Sequence, residues 1–387
     1  MKNYIFIAVV LMMQNFAMAQ DLEGELIFTP QDKHTHSSSI VETSAGNFLV
    51  CWFHGSGERK ANDVVVNGAR LKKGSKKWSP LFLMADTPNL PDCNPVLFID
   101  GQKKLWLFWI AVVANRWERS LLMYRTSTNY KGNGVPQWEW QGVITLQPGD
   151  KFPETIEKGF KELQKDEPIW SEYAPLFTDM TITAAKDPVK RQTGWMMRTH
   201  PLTLPGGRII LPIYSDGYNL SMVAYSDDAG KTWQTSRPMV GFGPNQPSIV
   251  RKNDGTLVAY FRDDGSAPMR VLISTSKDNG ESWSWAVDTD IPNPSSSLEV
   301  IRLKDGRWIM VFNDTENTRS RLSAAMSDDE GLTWKWKKHL EDGKGSYSYP
   351  SLIQAANGLI HVTYSYVTAA GKESIKHVSF SADWLKK

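Results

Sequence analysis

Three segments of this chain repeat one eight-residue pattern, S-x-D-x-G-x-[ST]-W, at Ser226–Trp233, Ser276–Trp283 and Ser327–Trp334, and their tryptophans are 50 and then 51 residues apart. Self-similarity at a fixed period near fifty marks an array in which each repeat is one supersecondary unit packed on its neighbours. Each position has a mechanical use. The aspartate can accept N–H bonds from its own turn, the glycine supplies a positive φ, and the tryptophan fills a gap between sheets.

Between the boxes run short apolar stretches with strand periodicity: 247–250, 256–261 and 269–274, then 298–302, 308–312 and 321–326. Asn253-Asp254-Gly255 and Lys304-Asp305-Gly306 supply hairpin turns. Four short strands per fifty residues make one blade of a β-propeller. Degenerate copies extend the count: 36–78, 94–138, 195–233, 244–283, 293–334 and 347–380 give six blades. The expected fold is therefore all-β, a single six-bladed propeller. One stretch breaks the period, because Trp138 and Trp233 are 95 residues apart. Within it, 155–165 reads as a short amphipathic helix, so 150–194 is predicted to be a helical insertion forming a lid or rim on the ligand side.

Composition narrows the function. With 44 Lys+Arg against 42 Asp+Glu and no basic cluster, the chain has no means of holding a nucleic acid or an anionic membrane by bulk charge. Two cysteines, Cys51 and Cys93, cannot frame a disulfide scaffold or a four-thiolate zinc site; they are either a pair or two buried thiols. Residues 1–19 carry Lys2, an apolar run over 5–13 and a small-x-small site at Ala17-Met18-Ala19, which reads as a cleavable signal peptide. The remainder, 20–387, is then a periplasmic or secreted domain. No cofactor, metal or membrane insertion is expected, and the chain is expected to be a monomer.

Three such boxes in a six-bladed array resemble the sialidase superfamily, where they are called Asp boxes or BNR repeats. In that family the boxes lie on outer turns, so function must come from inner strands and axial loops. The resemblance implies an arginine clamp on a substrate carboxylate, a tyrosine nucleophile paired with a glutamate, and an acid in a first-blade loop. Arg262, in Val258–Asp263, is similar to the second arginine of the clamp, and Arg319, in Arg319–Leu322, to the third. Tyr349, in Tyr349–Leu352, is similar to the nucleophile, which in these enzymes replaces the usual carboxylate pair. Asp63, favoured over Glu58 in the loop 54–63, takes the place of the acid.

Two positions depart from the family. His36, in the run His34-Thr35-His36, stands where the first arginine opens blade one, as a weaker carboxylate contact. Gln246 stands where the glutamate would be, and an amide cannot accept the phenol's proton. The segments 52–58, 92–98, 198–202, 211–218 and 347–354 resemble more closely a group of secreted bacterial sialidase-like BNR proteins.

Other residues add candidates. His36 and His200 can transfer protons near neutrality. Arg59, Arg198, Arg262 and Arg319 come from four blades, and four guanidinium groups facing one axis would demand an anionic ligand. Tyr214 and Asp216 open a hairpin of blade three as further ligand contacts, although a turn-capping role suffices for Asp216. Trp117 could stack on a sugar face. The leading expectation is a secreted sialidase-like exo-glycosidase removing a terminal acidic sugar. A polysaccharide lyase acting on uronate glycans is the alternative enzyme, and a non-catalytic glycan-binding propeller the alternative module.

Overall fold

A computed structural model describes residues 21–163 and 170–387. The expected signal peptide, 1–19, and the last two residues of the predicted helix 155–165 lie outside the described residues. Six antiparallel sheets are arranged as the blades of one propeller. The innermost strands are His34–Ser44, Asp92–Ile99, Met196–Met197, Pro244–Arg251, Glu299–Arg302 and Ser346–Gln354. Each blade then steps outward through hairpins to its edge strand, as in Pro244–Arg251, Leu257–Asp263, Arg270–Ser276 and Val287–Pro292.

The fourth strand of a blade lies beyond the box tryptophan, where the periodicity alone had ended the repeat; Val287–Pro292 and Trp336–Asp342 are such strands. A four-residue strand, Glu23–Leu26, was not foreseen. It pairs antiparallel with Glu373–Phe380 and so contributes the outermost strand of the sixth blade from the other end of the chain. Four residues are too few to show a period. They suffice here because the register, Glu23 opposite Ser379 through Leu26 opposite Lys376, is fixed by a preformed edge.

The boxes act as turn locks. In each, the Ser Oγ accepts the glycine N–H at 2.8–3.0 Å, and one Asp oxygen accepts the Thr or Ser N–H at 2.9 Å. Those bonds hold the carboxyl of Asp228 and Asp329 below the usual carboxylate range. The tryptophans join neighbouring blades: Trp233 meets Trp106 of blade two edge-on at 6.4 Å, and Trp334 meets Tyr260 of blade four at 6.0 Å.

The insertion is larger in helix than the sequence pattern suggests. It comprises α1 (Lys151–Leu163), α2 (Trp170–Lys186) and α3 (Pro188–Arg191). Helix α1 buries Phe152, Ile156 and Phe160, one stripe at four-residue spacing. Gly159 lets α1 approach Val240 and Trp285 of the propeller, where an added Cβ would lie 2.7 Å from Val240. The insertion therefore shares the core of blades two and three. Cys51 and Cys93 are both buried free thiols, which resolves the alternative left by sequence.

Gly230 and Gly74 separate backbone strain from crowding. Both have φ near +80°, but a Cβ on Gly230 would lie 2.4 Å from Trp106, whereas Gly74 has nothing within 4 Å. Gly74→Ala should cost about 1 kcal/mol from the left-handed backbone alone. Gly230→Ala should cost about 2–3 kcal/mol, because displacement of a buried indole is added. Urea unfolding of the two variants checks this, and equal losses would show that the Trp106 contact does not matter.

Candidate active site

Inner strands can present side chains to the propeller axis only if something turns them there. In five blades that device is a residue in the left-handed region near the start of the inner segment: Ser37 (φ 58°), Asn94 (47°), Gln246 (53°), Ser295 (51°) and Tyr349 (57°). Four of them sit at a break in strand register, as bulges that re-aim a side chain. Proline follows three of them, as Pro95, Pro247 and Pro350, where the missing N–H costs no ladder bond. Non-glycine residues at positive φ are uncommon and concentrate at functional sites. The sequence carried this signal, as N-P, Q-P and Y-P pairs at matching places in the repeat, but the pairs were not read as a set.

Tyr349 is the centre of what these bulges assemble. Arg262 Nη1 donates to its phenol oxygen at 2.7 Å, and Gln246 Nε2 donates at 3.3 Å. The guanidinium carbons of Arg198 and Arg319 lie 5.1 Å and 5.2 Å from its ring centre. The His36 ring packs against it at 4.1 Å. Blades one, three, four, five and six thus meet at one phenol. Gln246 also donates to Tyr214 at 3.1 Å, and Asn94 of blade two donates to Tyr214 at 2.9 Å, which brings in the remaining blade. The buried Oε1 of Gln246 has no hydrogen-bond partner among the described residues.

The arginines are held in different ways. Arg262 is forked on Asp264 at 2.5 Å and 2.9 Å; burial opposes its charge, but Tyr349 and Asp264 outweigh that and raise its pKa. Asp264 is itself fixed by Asn245 at 2.7 Å and by Ser295. Arg319 donates to the Ser295 carbonyl at 2.8 Å. Arg198, 2% exposed, bonds to no carboxylate among the described residues: it is held by the carbonyls of Pro350 at 3.0 Å and Ser38 at 3.4 Å, and its Nε has no partner among those residues. Because it is sealed beneath the tyrosine, Arg198 is part of the floor rather than a direct ligand contact.

Several sequence expectations are corrected. His36 is not a substitute cation. Burial first, then the charges of Arg319, His34, Arg198 and Arg262, hold its pKa well below the imidazole range, so it is a neutral ring. His200 is not free for proton transfer. Its Nδ1 faces Glu299 Oε1 at 2.9 Å and its Nε2 faces the Ile40 carbonyl at 2.9 Å. Both partners are acceptors, so both nitrogens carry hydrogen and the ring is an imidazolium. The other oxygen of Glu299 accepts Leu352 N–H at 2.6 Å, so this ion pair clasps blades one, three, five and six. Asp63 is poorly suited to be an acid: Ser56 donates to it through Oγ at 2.6 Å and through N–H at 3.1 Å, and these bonds lower its pKa. Arg59 lies over the Trp117 ring at 5.3 Å, so three of the four expected arginines converge on the tyrosine, and Trp117 stacks on a guanidinium.

Asp216 does not cap its own turn; Ser215 Oγ takes that role by accepting Gly217 N–H at 3.2 Å. Asp216 is an exposed residue whose carboxyl, turned partly toward protein, makes no hydrogen bond among the described residues. It opens into a cleft of about 980 Å³ walled by α2, α3, Arg116–Arg119 and Tyr218. Open to water on one side and ringed by protein on the others, its carboxyl is pushed up to about 6. Loss of solvent is the main cause, with Asp264 and Glu58 reinforcing it and Arg262 and Arg59 opposing it.

The sequence profile of the BNR repeat-like domain matches residues 46–159 and 179–362. The chain belongs to that family. Its relatives by sequence include a sialidase of Micromonospora viridifaciens, 28% identical over 42% of this chain and 25% of that protein. A sialidase of Clostridium perfringens is 31% identical over 35% of this chain and 41% of that protein. The alignment therefore spans less than half the length of either relative. Among solved structures, a Dyadobacter fermentans protein of unknown function superposes with a TM-score of 0.71 at 14% identity, covering 94% of this chain and 99% of that one. A leech intramolecular trans-sialidase gives 0.67 at 15% identity over 94% and 71%. A Fusarium graminearum α-L-arabinofuranosidase gives 0.61 at 14% over 91% and 94%. This BNR protein is thus a sialidase-like propeller with a glycoside hydrolase-like fold, and the fold is shared by neighbours named for different sugars.

The His200–Glu299 clasp predicts a stability profile. His200 has a raised pKa, so its contribution is present below the ordinary value of 6.5 and is lost as pH rises through the raised one. Glu299 has a lowered pKa, so its contribution is lost only as pH falls below 4.5 through the depressed one. Glu299→Gln should cost about 3–5 kcal/mol by stranding a buried imidazolium. Urea midpoints between pH 5 and 9 should decline at the alkaline end in the native chain and be flatter there in His200→Gln.

Proposed function

We propose that this BNR protein is a sialidase-type glycosidase that removes a terminal sugar bearing a carboxylate. One observation carries the reading: Arg198, Arg262 and Arg319, from three blades, surround one phenol oxygen and ring. Two guanidinium carbons each about 5 Å from one ring centre are at most about 10 Å apart, so at an effective dielectric near 20 they repel by roughly 2 kcal/mol or more. A carboxylate about 4 Å from either returns about 4 kcal/mol per contact on the same scale. An anionic sugar offsets the repulsion that the empty cradle carries.

In this reading Arg262 and Arg319 grip the carboxylate, Arg198 supplies charge from below, and the Tyr349 oxygen faces the anomeric carbon. Positive charge developing on the sugar meets that oxygen, and negative charge on the oxygen meets Arg262 and Gln246. The sequence relatives named sialidases support a sugar acid as substrate, and the signal-like residues 1–19 support action outside the cytoplasm.

A uronate lyase is the second reading, favoured by one feature. His36 is a neutral imidazole packed on Tyr349 among cations, and it can accept a proton from a carbon whose neighbouring carboxylate is neutralised.

A screen of sialosides and uronate oligosaccharides, reading reducing ends and near-ultraviolet absorbance, separates the two: a lyase product carries a conjugated double bond and absorbs, and a hydrolase product does not. On the responsive substrate Tyr349→Phe should lower kcat about 1,000-fold. Arg262→Lys, which keeps charge but loses the fork, should raise KM about 10- to 100-fold. Unchanged kinetics in both variants would remove this site from the reaction.

A further inference from the structure

We propose that Asp216, and not a first-blade carboxylate, gives the leaving group its proton. This deepens the glycosidase reading and rests on it. Asp216 opens the turn that follows the strand Ile209–Ser215, two residues after Tyr214. The Tyr214 phenol is bound into the hub by Asn94 and Gln246, which places Asp216 one step further out, at the mouth. Its carboxyl feels the charges of Arg262 and Asp264 on the hub side and of Arg59 and Glu58 on the blade-one side. It lines the cleft under α2 and α3, where Arg116, Glu118, Arg119, Asp179, Asp187 and Lys190 supply both signs of charge. Because the Arg262 charge reaches the Asp216 carboxyl, the departing part of a glycan held by the arginines would leave past Asp216.

Competing carboxylates near the hub are committed elsewhere. Asp264 is forked on Arg262 and bonded to Asn245. Asp63 is tied to Ser56, and Glu118 is paired with Arg116. Asp92 and Asp263 also have carboxyls pushed up to about 6, but both are buried and bonded, Asp92 to Thr87 N–H and Trp109, and Asp263 to the N–H groups of Gly265 and Arg270. Asp216 combines access to water, absence of any hydrogen bond among the described residues, and a proton held near neutrality.

The step balances without another reagent. The anomeric C–O bond breaks with its electron pair moving to the glycosidic oxygen, which takes the proton of the Asp216 carboxyl. The cationic sugar is held against the Tyr349 oxygen. Water then adds to the anomeric carbon and gives one proton to the Asp216 carboxylate, which restores the acid. One water is consumed and two hydroxyl products leave.

The test is leaving-group dependence, because a good leaving group needs no proton. Dinitrophenyl and methyl glycosides of a sialic acid and of a glucuronic acid serve as probes, with Asp216→Asn, Asp63→Asn and Glu58→Gln variants. Asp216→Asn should lose about 100- to 1,000-fold in kcat on the methyl glycoside and less than tenfold on the dinitrophenyl one. The native chain should show a fall of kcat above about pH 6; Asp216→Asn should lose that fall, while the other two variants keep it. Asp216→Ala should behave alike, since the side chain makes no hydrogen bond among the described residues. An equal loss on both leaving groups, no loss, or the same selective loss in Asp63→Asn or Glu58→Gln overturns the assignment while the glycosidase stands. A native chain that cleaves none of the four probes overturns the glycosidase and this role together.

Discussion

An excess of buried positive charge at the propeller axis governs how this protein is built. Arg198, Arg262 and Arg319 gather at Tyr349, and Asp264 is the carboxylate bonded to that set. Arg198 is the extreme case, nearly inaccessible and hydrogen-bonded through backbone carbonyls, with the charge of Glu299 acting on it. A buried guanidinium cannot shed its charge, so the structure around it must be rigid enough to bear the cost. That rigidity comes from backbone fixed elsewhere: bulged inner strands, carbonyls aimed inward, and a neutral His36 that adds no further charge.

The ring has to be locked before the hub can be strained, and two separate devices do this. At the periphery, the box tryptophans Trp233 and Trp334 pin blades three and five to the ones before them. Near the axis, His200 and Glu299 make an ion pair whose hydrogen bonds reach four blades. The two histidines that seemed equivalent in sequence therefore have opposite fates. His36 lies among guanidinium groups and stays neutral; His200 meets a carboxylate and a carbonyl and stays charged. Environment sets the protonation state in each case, and residue type alone does not.

The blades were legible because their cues are local. A box needs only eight consecutive residues, and a hairpin needs a turn and alternation. Arg262, Arg319 and Tyr349 were legible through resemblance, and the structure brings them together. What could not be read depends on contacts remote in sequence. Asp264 matters because Arg262 reaches it, and Arg198 is sealed because Tyr349 lies on it. Asp63 lost its expected advantage to Ser56, seven residues earlier, a bond that loop sequence does not disclose. Glu23–Leu26 acquires meaning only from an edge formed over 340 residues later.

Gln246 shows most clearly how the chemistry departs from a tyrosine–glutamate pair. A glutamate there would be one more anion beside Arg262 and could take the phenol's proton. The amide does neither; it donates to Tyr349 and Tyr214 and leaves its carbonyl oxygen buried without a hydrogen-bond partner among the described residues. Replacing a carboxylate by an amide leaves the hub one charge more positive, which strengthens its hold on an anion and weakens its command of protons. Proton traffic must then be carried by groups that still titrate near neutrality. The carboxyl of Asp216 at the mouth of the cleft has that property without a hydrogen bond among the described residues, whereas Asp92 and Asp263, pushed up as far, are buried and bonded. The amide at Gln246 thus accounts for a cradle biased toward binding charge, and under the proposed mechanism it is the reason the acid is sought outside the hub, at Asp216.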